Sequence, residues 1–212
     1  MRGFKLLWYG SLLASMAFVV GMARSDPPKG WTADGADVRM ETQNKKTIHR
    51  VTATKAVGLL WLDGVTFREG TIEADLKGKG AFGIAYGVPD GPERVVAMPA
   101  NFANGKGHSI EYVSPIDRGR QPQKPNSVGA LKSPPNGSSW FHMKVDVKLD
   151  TVRIFVGDAP EPCLIVDRSQ KTKAGKVGLC VHEGSEASFA NFKVTPYDDT
   201  APKAISPKRK DG

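Results

Sequence analysis

The chain is short of the groups that usually announce a reaction. Its 212 residues hold two cysteines and four histidines. Cys163 and Cys180 cannot by themselves build a tetrahedral zinc site. The histidines His49, His108, His142 and His182 show no His-x-His or His-x₃-His spacing, so no metal centre is encoded. A contiguous Asp/Asn ligand loop is also missing. Asp90, Asp198 and Asp199 supply oxygens that leave calcium open as a ligand, and no other cofactor is implied. Helix-period segments and internal repeats are absent after the first 25 residues. Basic residues are dispersed except at Lys208-Arg209-Lys210, which excludes a nucleic-acid recognition element.

A long apolar run occurs once, from Leu6 to Met22, behind the positive residues Arg2 and Lys5. Ala23-Arg24-Ser25 comes next, with the small residues a signal peptidase reads. Residues 1–25 are therefore expected to be a secretory signal peptide, and a retained anchor is the alternative. Removing Arg2, Lys5 and Arg24 takes the basic count from 30 to 27 against 22 acids, and the net charge from +8 to +5. The mature protein is expected to be periplasmic or extracellular, with no stable membrane insertion.

What the chain does contain is punctuation. Its 23 Gly and 15 Pro separate short apolar runs, the pattern of an all-β domain. Residues 26–39, which open with DPPKGWTADG, read as a linker, 40–197 as one domain, and 198–212 as a disordered basic tail. Strands are expected at 38–40, 49–52, 57–62, 71–77, 82–88, 94–98, 108–113, 140–149, 152–156, 164–166, 177–182 and 187–194. Residues 115–139, with five prolines, read as a long loop. Val145, Val147 and Leu149 alternate with polar residues, and Val152, Ile154 and Val156 do the same. A two-residue turn at Asp150-Thr151 would pair Leu149 with Val152, Val147 with Ile154 and Val145 with Val156 on one buried face. The whole predicts an all-β, two-sheet antiparallel jelly-roll β-sandwich.

The blocks FREGTIEADLKG (67–78), FGIAYGVPD (82–90), NFANGKGHSIEYV (101–113), WFHMKVDV (140–147), RIFVGDAPEPCLIVD (153–167) and GKVGLCV…SFANFKVTP (175–196) occur in that order. Over residues 40–196 the chain resembles the concanavalin A-like lectin/glucanase superfamily. Within it the chain looks most like exported bacterial domains related to the 3-keto-disaccharide hydrolase family and to laminin-G-like jelly rolls. The resemblance implies an association with glycans, by binding or by hydrolysis. Relatives often carry Arg before a Pro-x-Asn-Phe block, where this chain has Met98-Pro99-Ala100-Asn101-Phe102. They often carry Trp and charged residues where Ser114-Pro115-Ile116-Asp117 stands here.

Several constellations could carry chemistry. Glu73 and Asp75 share one face of a strand, about 6.5–7 Å apart by strand rise, and paired carboxylates serve glycoside hydrolysis. Laminarinase-type glucanases alternate three acids on one strand. Lys77 follows Asp75 here, so the third acid is missing. His108 and Glu111 are further candidate catalytic groups, although they point to opposite faces of their strand. Tyr86, Asn101, His108, Glu111, Tyr112, Arg118 and Arg120 are the expected carbohydrate-binding residues. Tyr86 and Tyr112 are chosen because a ring with a polar tip suits a cleft wall. Asn104, Phe102, Trp61 and Trp140 are weighed beside them, and Trp61, inside an apolar run, reads as core. Cys163 and Cys180 would form a disulfide if 163–167 and 176–180 paired as a hairpin; strands sent to different sheets would leave two buried thiols. A non-catalytic cell-surface interaction module is the third functional reading.

Overall fold

The computed structural model describes residues 27–43, 45–99, 110–114, 119–122, 138–168 and 173–197. The described residues form fourteen strands, numbered in chain order. The first sheet has the order β1 (Trp31–Asp34), β4 (Val57–Leu62), β13 (Lys176–His182), β6 (Phe82–Gly87), β7 (Glu93–Ala97), β8 (Ile110–Ser114), β9 (Gly119–Pro122). The second has the order β12 (Leu164–Asp167), β11 (Thr151–Val156), β10 (Phe141–Val147), β5 (Gly70–Lys79), β14 (Glu186–Pro196), β3 (Lys46–Ala53), β2 (Ala36–Gln43). Every neighbouring pair is antiparallel. The fold is the antiparallel jelly-roll sandwich that the alternation predicts.

One core lies between the sheets. Phe82, Ile84, Leu60, Val177 and Leu179 reach in from the first sheet; Ile72, Leu76, Met143, Val145, Ile154 and Phe189 meet them from the second. The Phe82 ring lies 6.2 Å from Phe189 and 6.3 Å from Phe141. Three aromatic rings thus tie β6 to β14 and β10, and each buries a large apolar area.

The sandwich begins earlier than the sequence suggests. Residues 31–34 add to the edge of the first sheet and 36–43 to the second, so 26–39 is not a linker. Gly35, at φ +63°, turns the chain from one sheet to the other. Trp31 holds the edge, its ring 5.0 Å from His49 and 5.3 Å from Phe192. The 115–139 stretch likewise contains a strand, β9. The β10–β11 hairpin buries the expected face in a shifted register: Val147 pairs with Val152, Val145 with Ile154 and Met143 with Val156. Leu149 is in the turn instead, where its N–H donates to Glu69 Oε1 at 2.7 Å. The Lys148 N–H to Thr151 carbonyl bond at 2.8 Å closes a two-residue turn at Leu149-Asp150, one position earlier than expected. Residues 1–26 and 198–212, with the signal-peptide and tail expectations, lie outside the described residues. Among the described residues, no helix is long and apolar enough to cross a membrane.

Candidate functional site

Tyr86 and Tyr112 are not on a cleft wall. They are 0% and 1% exposed, inside the sandwich. Alternation puts Phe82, Ile84 and Tyr86 on the inward face of β6, and Ile110 and Tyr112 on that of β8. The Tyr112 tip meets a buried ion pair, whereas the buried Tyr86 hydroxyl has no hydrogen-bond partner among the described residues. The Tyr112 hydroxyl donates to Glu93 Oε2. Arg168 Nη2 donates to Glu93 Oε1 at 2.7 Å and Nη1 to the Lys148 carbonyl at 2.8 Å. Burial, then the neighbouring Tyr112 and Glu93, holds the Tyr86 hydroxyl well above its usual range. Burial and Glu93 do the same to Tyr112. Both tyrosines therefore remain protonated, as parts of the scaffold.

The other expected residues divide between opposite sides of the molecule. Glu111 faces outward from the first sheet, and Glu73 and Asp75 face outward from the second, so these acids do not converge. Asn101, Phe102, Asn104, His108 and Arg118 lie outside the described residues. Arg120 sits on β9 at the register position of Val113.

The outer face of the first sheet can be built from its register. One row across the strands runs Thr32, Trp61, Gly178, Ala85, Arg94, Val113. The next runs Asp34, Leu59, Cys180, Gly83, Val96, Glu111. The middle of both rows is small: Gly178 and Ala85 in one, Cys180 and Gly83 in the other. A Cβ at Gly178 would sit 2.1 Å from the Leu60 carbonyl oxygen, and one at Gly83 would sit 1.9 Å from that of Val95. These positions must be glycine, and with Ala85 and Cys180 they form a buried floor of small residues between taller side chains. With strands about 4.8 Å apart, Trp61 and Arg94 stand roughly 14 Å apart across that floor. Leu59, Trp61, Ala85, Val96 and Cys180 form a second buried cluster, separated from the main core by the sheet itself.

Charge is drawn into this face. Glu111 is 6% exposed. Arg94 stands diagonal to it on β7, and its Nε is buried with no hydrogen-bond partner among the described residues. The positive charge of Arg94 also acts on Cys180, against the burial that pushes that thiol up to about 12. His182 stands one row further along β13.

The outer face of the second sheet is built differently. His142 on β10 lies between the two acids of β5: Nδ1 is 2.9 Å from Asp75 Oδ1 and Nε2 is 3.7 Å from Glu73 Oε1. Lys193 Nζ is 3.7 Å from Glu73 Oε2. Asn191 Nδ2 donates to Asp75 Oδ2 at 2.5 Å, from a β-bulge where Asn191 takes φ +51°. The imidazole occupies the space between the carboxylates that a glycosidic oxygen would need. Lys77 replaces a third acid on that strand.

The two cysteines are free. Cys163 belongs to the main core beside β12 in the second sheet, whereas Cys180 is on the outer face of the first. Consecutive strands go to different sheets, so the disulfide alternative falls. Burial pushes both thiols up to about 12. Asp90 is exposed in a turn, while Asp198 and Asp199 lie outside the described residues. Among the described residues, no group of three or more His, Cys, Asp or Glu is placed to hold a metal ion.

Arg94, His142 and His182 escape sequence reasoning as a set because their positions depend on strand order. One signal was legible. FGIAYG alternates large Phe82, Ile84 and Tyr86 with small Gly83, Ala85 and Gly87, which marks a strand with a packed side and a hollow side.

No family model matches this sequence, and no curated protein matches it. Solved structures do. The carbohydrate-binding module CBM66 from Bacillus subtilis is 15% identical, with a TM-score of 0.55 over 77% of this chain and 93% of its own. A protein of unknown function with a galectin-like fold, from the same organism, is 12% identical with a TM-score of 0.57, over 78% of this chain and 89% of its own. The β-glucanase of Bacillus licheniformis is 10% identical with a TM-score of 0.54, over 82% of this chain and 96% of its own. Likeness at this identity concerns architecture, and it establishes that the chain has the concanavalin A-like jelly-roll fold.

Proposed function

We propose that this is an exported carbohydrate-binding sandwich whose glycan lies across the outer face of the first sheet. The observation that carries the reading is the buried, unpartnered Nε of Arg94 beside Glu111, over a floor of Gly83, Ala85 and Gly178. A buried donor without a partner costs about 1–3 kcal/mol, which a bound acceptor recovers. Sugar hydroxyls both donate and accept, so a ring hydroxyl can take the Arg94 Nε proton. The sequence segment 1–25 supports export, and the identities of two structural neighbours, a carbohydrate-binding module and a β-glucanase, agree with a glycan ligand.

Binding is favoured over hydrolysis by the acids on that face. Among the described residues, Glu111 is the carboxylate near the floor. Asp34, at the far edge of the same row, is exposed and accepts from Lys55 Nζ at 2.9 Å. Hydrolysis requires two carboxyls about 5–10 Å apart across the bond, and four strands intervene between these two. Calorimetric titration with β-glucan oligosaccharides tests the reading. Arg94→Ala and Glu111→Gln are each expected to weaken binding about tenfold or more. Unchanged affinity in both variants would overturn it, as would reducing sugar released by the wild-type protein.

A further inference from the structure

We propose a second carbohydrate site on the opposite side of the sandwich, a single-ring pocket between Trp140 and the β2–β3 hairpin. The cavity measures about 250 Å³ and is lined by Gln43, Lys46, Ile48, Asp75, Trp140 and Ala190. Its location stands on its own geometry; the choice of a sugar as occupant rests on the glycan reading above.

The pocket is a product of register. Ile48, Ala190 and Asp75 lie in one row across β3, β14 and β5, and His142 continues it on β10. Ile48 and Ala190 make an apolar floor. The bulge just after Ala190 shifts the register and turns Asn191 toward Asp75. Trp140, immediately before β10, rises at the rim with 40% of its surface exposed. Its ring forms one wall of the hollow, where it can stack on a flat apolar face.

The polar groups define the ligand. Asp75 is fixed before anything binds, because Asn191 and His142 hold one oxygen each, at 2.5 and 2.9 Å. A carboxylate has about four acceptor sites, so it can still take two hydroxyl protons. Lys46 is held loosely, 4.0 Å from Asp75 Oδ2 with 58% of its side chain exposed, and can donate elsewhere. Gln43 adds an amide that both donates and accepts. One fixed anion and one loose cation disfavour a charged ligand of either sign. A ring platform with mixed donors and acceptors fits a neutral pyranose, stacked on Trp140 and held by Asp75, Gln43 and Lys46. The volume lies below the roughly 300–1,000 Å³ of sites for drug-sized ligands. It therefore takes one sugar residue, such as a chain end, rather than a run of several.

The test is a ¹⁵N NMR titration of the full chain with the methyl glycosides of glucose, galactose, mannose and xylose, and separately with a β-glucan oligosaccharide. The Trp140 indole N–H and the Lys46 and Ala190 amides report this pocket; the Gly83, Ala85 and Gly178 amides report the first sheet. At least one methyl glycoside is expected to shift the Trp140 indole saturably. Gln43→Ala should weaken that response about tenfold, and Trp140→Ala should weaken the Lys46 and Ala190 amide response as much, each variant checked by its own spectrum to be folded. If the first-sheet amides move while the Trp140 group stays still with every probe, this proposal is overturned and the first site stands. If only the Trp140 group moves, the pocket stands and the first site falls. If neither moves, both fall.

Discussion

The two sheets of this sandwich handle charge in opposite ways. Away from its β1 edge, where Asp34 is exposed, the first sheet keeps charged side chains under cover on both sides. Glu93 points inward to a buried pair with Arg168, while Glu111 and part of Arg94 are buried on the outer face. The second sheet sends its charges to water. Arg50 lies 3.2 Å from Glu41 and 3.4 Å from Glu186 with all three well exposed, and Lys193 reaches Glu73 from a largely exposed position. Exposed pairs of this kind contribute about 0–1 kcal/mol and serve solubility. Charges kept out of water cost several kcal/mol unless something compensates them. Inside the sandwich the compensation is visible, in Tyr112, Glu93, Arg168 and a backbone carbonyl. On the outer face of the first sheet the buried Arg94 Nε has no partner among the described residues, and an acceptor there is what the proposed ligand would supply.

The largest test removes the interior half of the contrast. Arg168→Ala leaves Glu93 buried without its cation and is expected to cost about 3–5 kcal/mol, seen as a fall in the denaturant midpoint. A change below about 1 kcal/mol would mean that Glu93 reaches water. Next comes the floor. Gly178→Ala forces a methyl against the Leu60 carbonyl and should cost about 1–3 kcal/mol. A matched change on the second face, Lys193→Ala, should stay within about 0.5 kcal/mol. Equal costs at the two positions would erase the distinction between a built floor and a solvated face.

Thiol chemistry sharpens the picture without touching the fold. Both cysteines should resist a thiol reagent in the native protein and react fully once unfolded, since burial pushes each up to about 12. Mass spectrometry without reductant should find no crosslink. The smallest effect is expected at His49, which faces the Trp31 ring and whose pKa burial lowers from 6.5. The unfolded chain then takes up a proton before the folded one does. Stability should hold above about pH 6.5 and decline as pH falls below it, and His49→Gln should flatten that decline. An unaltered slope would show that other groups dominate.

The fold was legible because alternation is local. The outward direction of Glu73 and Asp75, the inward direction of Ile72, Ala74 and Leu76, and the buried side of the β10–β11 hairpin all come from counting by two. The hairpin register was not legible, because Glu69, distant in sequence, takes the Leu149 N–H. Tyr86 and Tyr112 misled for the same reason. A hydroxyl on a ring suggests a wet surface until Glu93 and Arg168 are known to lie beside it. Trp31 was hidden in a Pro/Gly-rich stretch, where two glycines serve as turns rather than as a tether. The candidate site was the least legible part. Glu111 was found, but its neighbour Arg94 enters only through the order β6-β7-β8, which no periodicity encodes.

The most direct measurement is a crystal structure of the protein soaked with a β-glucan oligosaccharide that calorimetry shows to bind. The account predicts a sugar ring over Gly178 and Ala85, with a hydroxyl accepting from Arg94 Nε and another donating to Glu111. Sugar bound elsewhere, with Arg94 Nε still unpaired and the first sheet's outer face empty, would contradict it.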